Sequence, residues 1–299
     1  MITGGGQVDR RGGKIVRMHP VISPDGLARL LAGPAPPAVL DVRWTLGGPA
    51  GRDEYDSGHL PGAEFLDVDT DLAGAAGAGG RHPLPDPTAL QHTLRAAGVR
   101  SDRPVVAYDS ADGSVASRAW WLLRWAGHRE VAVLDGGYRA WTAHGLPVSI
   151  RPAAPEPGTI TVRPGVMPVL DTGQAAALAR DGVLLDARAA ARYRGEVEPV
   201  DPKAGHVPGA RSAPFTAPTD AEGRWLPPRR VRELAAGWGI AGRPVGAYCG
   251  SGVTACALVL ALEHAGVSDP DHPVALYPGS WSQWCADSSR PVVTGPHPG

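Results

Sequence analysis

The chain has 299 residues, 43% of them hydrophobic and 20% charged, with a formal net charge of −1. That length suits two domains with a sizeable core, and the balanced charge excludes a bulk field that gathers nucleic acid or an anionic membrane surface. No apolar run nears the roughly 18 residues of a membrane span. The basic start (Arg10, Arg11, Lys14, Arg17) leads into no apolar stretch of a signal peptide, and the three cysteines, at 249, 256 and 285, form neither a disulfide framework nor a zinc site. The compartment expected is a reducing cytoplasm.

Residues 1–17 are glycine-rich and expected to be disordered, with Met18 a second candidate start. A first domain is expected over 18–150. Its runs Ala38–Asp41, Val105–Tyr108 and Val131–Leu134 suit buried strands, and apolar residues recur at helical spacing in Asp86–Gly98 and Val115–Gly127. Residues 151–165 are proline-rich and suit a semi-rigid linker. A second domain over 166–299 repeats the pattern, with strands at Val183–Asp186, Val245–Tyr248 and Val274–Tyr277 around helices at Arg229–Trp238 and Val253–Gly266. This alternation predicts an α/β fold in which each domain has a mainly parallel sheet with helices on both faces.

The two halves are copies. Val39-Leu40-Asp41-Val42-Arg43 recurs as Leu184-Leu185-Asp186-Ala187-Arg188, and Gly58-His59-Leu60-Pro61-Gly62-Ala63 as Gly205-His206-Val207-Pro208-Gly209-Ala210. Pro104–Tyr108 recurs as Pro244–Tyr248, and Gly136 with Trp141 as Gly279 with Trp284. Landmarks in one order at similar spacing imply a tandem duplication of about 130 residues per copy. Asp41 and Asp186, at matching strand ends, suit bonds to loop backbone that fix the turn.

One loop differs in its chemistry. After Tyr248 the second copy continues Cys249-Gly250-Ser251-Gly252-Val253-Thr254 into a helix, whereas the first has Asp109 and a loop one residue longer. Open α/β sheets bind ligands beyond the carboxyl ends of their strands. A Gly-x-Gly turn at a helix start presents backbone N–H groups as an anion nest that favours a thiolate. Catalysis is therefore expected in the second copy, with Cys249 as nucleophile. Cys256, inside an apolar helix, and Cys285, near tryptophans, suit structural roles.

These motifs give the chain a resemblance to the two-domain rhodanese-type sulfurtransferases, from about Val21 to Val293. Tyr55-x-x-x-His59-Leu60-Pro61-Gly62-Ala63-x-x-Leu66 is similar to the family's N-terminal signature. Val274-x-x-Tyr277-Pro278-Gly279-Ser280-Trp281-x-Gln283-Trp284 is similar to the C-terminal one, with Gln283 where glutamate is usual. The Cys249 loop resembles the mercaptopyruvate type. The resemblance implies a Cys249 persulfide that takes sulfur from 3-mercaptopyruvate or thiosulfate and passes it to a thiol, a thioredoxin-like acceptor or cyanide, with no metal and no organic cofactor. It implies a persulfide cradle of the N–H groups of Gly250, Ser251, Gly252, Val253 and Thr254, donor binding by Arg192, and a proton relay through Ser251 and His59. It also places Asp201 where mercaptopyruvate enzymes carry a second arginine, so donor choice stays open, with Lys203 or Arg188 as candidate substitutes.

Other readings remain at this level. A thiosulfate-specific enzyme, a sulfur-relay carrier serving one partner protein, and a non-catalytic binding or redox-sensing module all fit the fold. A Cys-x5-Arg phosphatase does not, because the arginine position is Ala255.

Overall fold

The computed structural model describes residues 18–268 and 272–299, so the expectation for residues 1–17 lies outside the described residues. The first domain runs β1 (Val21–Ile22), α1 (Pro24–Leu31), β2 (Ala38–Asp41), α2 (Gly51–Ser57), β3 (Ala63–Phe65), α3 (Pro87–Ala96), β4 (Val105–Tyr108), α4 (Ala116–Trp125), β5 (Val131–Leu134) and α5 (Gly137–Ala143). The second runs α6 (Thr172–Asp181), β6 (Val183–Asp186), α7 (Ala190–Arg194), β7 (Arg211–Ser212), α8 (Pro228–Gly237), β8 (Val245–Tyr248), α9 (Ala255–His264), β9 (Ala275–Leu276) and α10 (Ser280–Trp284). The sheets are ordered β1-β5-β4-β2-β3 and β7-β6-β8-β9, with every pair of neighbouring strands parallel.

Strand alternation explains why these short runs read as continuous apolar segments. Leu40, Val105, Ala107, Val131 and Val133 point to one face of the first sheet, and Val39, Val106, Ala132 and Leu134 to the other, each into its own buried cluster. Both faces are covered by helices, so neither can be polar. The second sheet repeats this, with Leu185, Ala247 and Leu276 on the shared side and Leu184, Tyr248 and Tyr277 on the far side. The run expected at Val274–Tyr277 pairs as a strand only at Ala275–Leu276, because Pro278 follows and cannot donate to a ladder. On its outer side Val169 adds a single parallel bridge to Leu276, the counterpart of β1 beside β5.

Local signals set the helix starts. Asp86 caps α3 through the amides of Thr88 and Ala89, with Pro87 in its first turn. Asp171 and Gln174 form a capping box on α6. The segment 151–165 lies along the first domain. Gly158 N donates to Arg95 O (2.7 Å), Ile160 N to Val99 O (3.2 Å) and Arg163 N to Ala126 O (2.9 Å), while Ile160 is buried.

The two copies meet through the helices that follow their equivalent loops. All of α4 is buried, and α9 is buried from Ala255 to Leu262, as befits helices apolar on every side. Their side chains belong to one core cluster that runs across both domains, and Arg124 pairs with Glu263 at 2.6 Å with both side chains nearly excluded from solvent.

At the far end of α9, His264 stands edge-on to His19 of the first domain, with ring centroids 4.8 Å apart. Burial, aided by His19, lowers the His264 pKa to about 4. The folded state therefore keeps this imidazole neutral while the unfolded chain takes a proton near pH 6.5. Stability contributed by the neutral ring is present above that value and lost as pH falls toward 4. Discounted for the ring's partial exposure, the wild type is expected to lose about 1 kcal/mol more than a His264→Gln protein between urea titrations at pH 7 and pH 5.

Candidate active site

Cys249 leaves the carboxyl end of β8, the strand between β6 and β9, and begins the loop into α9. The loop is fixed from behind by the segment Tyr277–Ser282. Ser280 Oγ accepts from Cys249 N (3.1 Å) and donates to Tyr277 O (2.9 Å). Trp281 N donates to Cys249 O (3.0 Å) and Ser282 N to Gly250 O (2.9 Å). Ser280 carries φ 53°, a left-handed conformation rare for serine and typical of over-determined functional turns. The loop bends at Gly252 with φ 82°, where a Cβ would stand 2.4 Å from Pro278 O, so only glycine fits. That bend turns Gly252 N toward Cys249 Sγ at 3.1 Å.

The first domain shows what such a loop holds. Asp109 stands at the equivalent strand end, fully buried, and its carboxylate accepts from the amides of Ala111, Gly113, Val115 and Ala116 at 2.9–3.1 Å. The nest is thus filled by the chain's own anion in one copy and carries a sulfur in the other. Burial, with Asp112 nearby, raises the Asp109 pKa to about 6 against those bonds.

Both loops line one cavity of about 450 Å³, together with Trp44, Arg81, Arg188, Arg192 and Phe215. Two larger openings lie elsewhere. One is bounded by Gly165, Pro244 and Pro273, and the other by Ala28, Pro61 and Trp141. Neither contains the thiol or a converging set of charges, and chemistry decides over size. Among the described residues no His, Cys, Asp and Glu cluster could hold a metal ion.

The expected relay histidine is corrected. His59 is buried against backbone of the first domain and of the segment that follows it, with Nδ1 2.8 Å from Tyr55 O and Nε2 2.9 Å from Arg151 O, and it stacks on Tyr55 at 3.8 Å. His206 repeats this on Tyr193, with Nδ1 2.8 Å from Tyr193 O and a stack of 3.7 Å, so both are turn residues. The histidine that meets Ser251 is His82, whose Nδ1 lies 2.7 Å from Ser251 Oγ and whose Nε2 lies 2.6 Å from Asp69 Oδ1. Asp69 can only accept, so Nε2 carries the hydrogen and Nδ1 accepts from the serine. Burial lowers the His82 pKa despite the pull of Asp69, which keeps the ring neutral and able to take a proton. The sequence carried a signal for it: Gly80-Arg81-His82 aligns with Gly223-Arg224-Trp225 of the second copy, so the histidine, like Cys249, is a place where the copies differ.

Arg192 lines the cavity beside the thiol loop, held by Glu198 (2.6 Å) and Asp201 (3.2 Å). Arg188 is tied to Asp186 (2.6 Å) and donates to Gly205 O (2.6 Å). Arg43 does the same with Asp41 and Gly58 O, both at 2.7 Å. Recurrence in both copies makes that pair a brace of the turn, and the aspartates bond loop backbone as expected, through Arg43 N and Arg188 N, each at 3.0 Å. Arg188 also shares Glu198 with Arg192, through Nη1 at 3.4 Å, and lines the same cavity, while Arg81 of the first domain shares Asp201 with Arg192.

With this geometry in hand, comparison with known proteins gives one family. Residues 23–144 and 171–287 each match the profile of the rhodanese-like domain. The chain belongs to the rhodanese family. A "probable 3-mercaptopyruvate sulfurtransferase" of Pseudomonas aeruginosa is 47% identical over 266 residues, 86% of this chain and 92% of that protein. SseB of Mycobacterium tuberculosis, to which thiosulfate sulfurtransferase activity is ascribed, is 42% identical over 277 residues, 90% of this chain and 95% of its own. The crystal structure of SseA, a 3-mercaptopyruvate sulfurtransferase from Escherichia coli, superimposes with a TM-score of 0.78 at 30% identity, over 89% of this chain and all of that one. The rhodanese fold, duplicated and α/β, is as the sequence predicted. No helix among the described residues is long and apolar enough to cross a membrane.

Proposed function

We propose that the protein is a sulfurtransferase that moves sulfur from 3-mercaptopyruvate, and from thiosulfate as a second donor, to a thiol acceptor through a persulfide on Cys249. The observation that carries this reading is Cys249 Sγ resting on the amide of Gly252, in a loop whose twin holds a carboxylate by its amides. A nest that accommodates a buried carboxylate suits a thiolate and then a persulfide anion equally. Gly250, Ser251, Val253 and Thr254 supply the remaining cradle, and Arg192 takes the donor's anionic end.

With mercaptopyruvate, the Cys249 thiolate attacks the donor sulfur, an S–S bond forms and the C–S bond breaks. The electron pair passes to carbon, giving the enolate of pyruvate, which takes up a proton. With thiosulfate the outer sulfur is attacked and sulfite leaves. The Ser251–His82–Asp69 row is the route for the proton, since a neutral His82 can draw it from the serine and return it. In the second half-reaction an acceptor thiolate, free or on a thioredoxin-like protein, attacks the outer persulfide sulfur and restores Cys249. Three unpaired cysteines suit a reducing compartment such as the cytoplasm.

Intact mass of the reduced protein is expected to rise by one sulfur on adding mercaptopyruvate, more slowly with thiosulfate, and to return on adding a thiol. No gain with either donor would sink the enzyme reading and favour a binding module.

A further inference from the structure

We propose that Arg81, reaching across from the first domain, is the second prong of an anion clamp with Arg192, and that it selects donors bearing a carboxylate. The inference rests on the sulfurtransferase reading and names what that site recognises.

Two guanidiniums converge over the residue that follows the thiol. A Cβ built on Gly250 would meet Arg81 Nη2 at 3.0 Å and Arg192 Nη1 at 3.4 Å. The nitrogens used for internal pairing are the others. Asp201 Oδ1 accepts from Arg81 Nη1, and Asp201 Oδ2 accepts from Arg192 Nη2 at 3.2 Å. Glu198 takes Arg192 Nη2 at 2.6 Å and Nε at 3.2 Å. Both carboxylates are buried, 3% and 4% exposed, and neither lines the cavity. They form a bracket behind the arginines, and one nitrogen of each guanidinium is left over Gly250, on the side of the cavity and Cys249.

The backbone delivers Arg81 deliberately. Gly80 has φ 101° and lies so close to the second domain that a Cβ would stand 2.6 Å from Gly279 O, and Arg81 N donates to Ser282 Oγ at 3.1 Å. The next residue, His82, meets Ser251. One short segment of the first domain thus brings a cation and the relay histidine to the thiol loop together. Asp201, which replaces a cation by an anion in the second domain's own stretch, is what recruits a cation from the first. Two adjacent forks suit the paired oxygens of a carboxylate, or a carboxylate and its neighbouring keto oxygen.

The test is the rate of Cys249 persulfide formation against mercaptopyruvate concentration, in the full-length protein, for wild type, Arg81→Ala and Arg81→Ala/Asp201→Arg. Loss of one charge-assisted contact is expected to raise the half-saturating concentration about tenfold or more in Arg81→Ala, with the limiting rate changed less than about threefold. The double variant, which returns a cation to the second domain, is expected to recover most of that loss. A half-saturating concentration unchanged in Arg81→Ala overturns the inference while persulfide still forms. A wild type that forms no persulfide overturns the sulfurtransferase reading itself. Pyruvate, the carboxylate product, provides a readout without turnover: its inhibition constant against loading rises in Arg81→Ala if the clamp exists and is unmoved if it does not.

Discussion

A Cys249→Ser protein is expected to fold normally, to gain no sulfur mass from either donor, and to lose sulfur transfer by at least about a thousandfold. Serine offers an oxygen of similar shape to the amide of Gly252, so the denaturation midpoint should move by less than about 1 kcal/mol. It cannot become a persulfide. Neither remaining thiol can take over. Cys256 is fully buried inside α9, its Sγ turned to Gly252 O at 3.4 Å, and burial raises its pKa to about 12. That thiolate is scarcely formed at neutral pH. Cys285 is also buried, and its thiol is pushed up in the same sense. A His82→Asn protein is the informative contrast. It keeps the nucleophile and is expected to load from mercaptopyruvate about a hundredfold more slowly, not to stop. Intact mass at timed intervals separates the two outcomes. Mass gain in Cys249→Ser would transfer the chemistry to another residue.

How far the site could be read from the sequence follows from where its parts come from. The strands β2, β4, β5, β6 and β8 were legible because both faces of each sheet are covered, so their residues are apolar in unbroken runs. Cys249 and its loop were legible because strand, Gly-x-Gly turn and helix are contiguous, and because the copies differ there. The pieces that were not legible sit far along the chain. His82 and Ser251 are 169 residues apart, and Arg81 and Asp201 are 120 apart. They are brought together by the packing of α4 on α9, which local spacing does not encode. His59 misled because its motif is prominent, yet a histidine repeated as His206 in both copies, one with a thiol and one without, serves what the copies share. That shared feature is the turn. Short β3 and β7 were missed for a related reason. Each pairs with only one neighbouring strand, at the edge of its sheet, and too few residues are buried to leave a pattern.

Arg118 carries the second large effect. It lies in α4 with no solvent exposure and, among the described residues, no carboxylate pairs with it. Its guanidinium instead donates to Leu72 O (3.1 and 3.2 Å), His82 O (3.2 Å), Pro83 O (3.2 Å) and, across the domain boundary, Gly252 O (3.1 Å). Burial pulls its pKa down from the usual arginine range, partly offset by the two nearby cysteines, Cys256 and Cys249. Removing a buried charge has a favourable side, since its desolvation is no longer needed. Here that gain is outweighed, because an apolar replacement leaves several buried carbonyls without a donor at about 1–3 kcal/mol each. An Arg118→Met protein is therefore expected to lose about 3–5 kcal/mol and to melt about 10 °C lower. Arg118→Lys should recover only part, since a single ammonium cannot span carbonyls on both domains. The same guanidinium holds His82 from one side and Gly252 from the other, and so aligns the relay with the loop that bears the thiol. Folded Arg118→Met protein should accordingly load sulfur more slowly than wild type at a temperature where both are fully native, and its two domains should unfold in separate steps. Calorimetry and timed mass measurement on one preparation read both effects. Wild-type stability together with wild-type loading would mean that water replaces the guanidinium and that the domains are held in register by the α4–α9 contact alone.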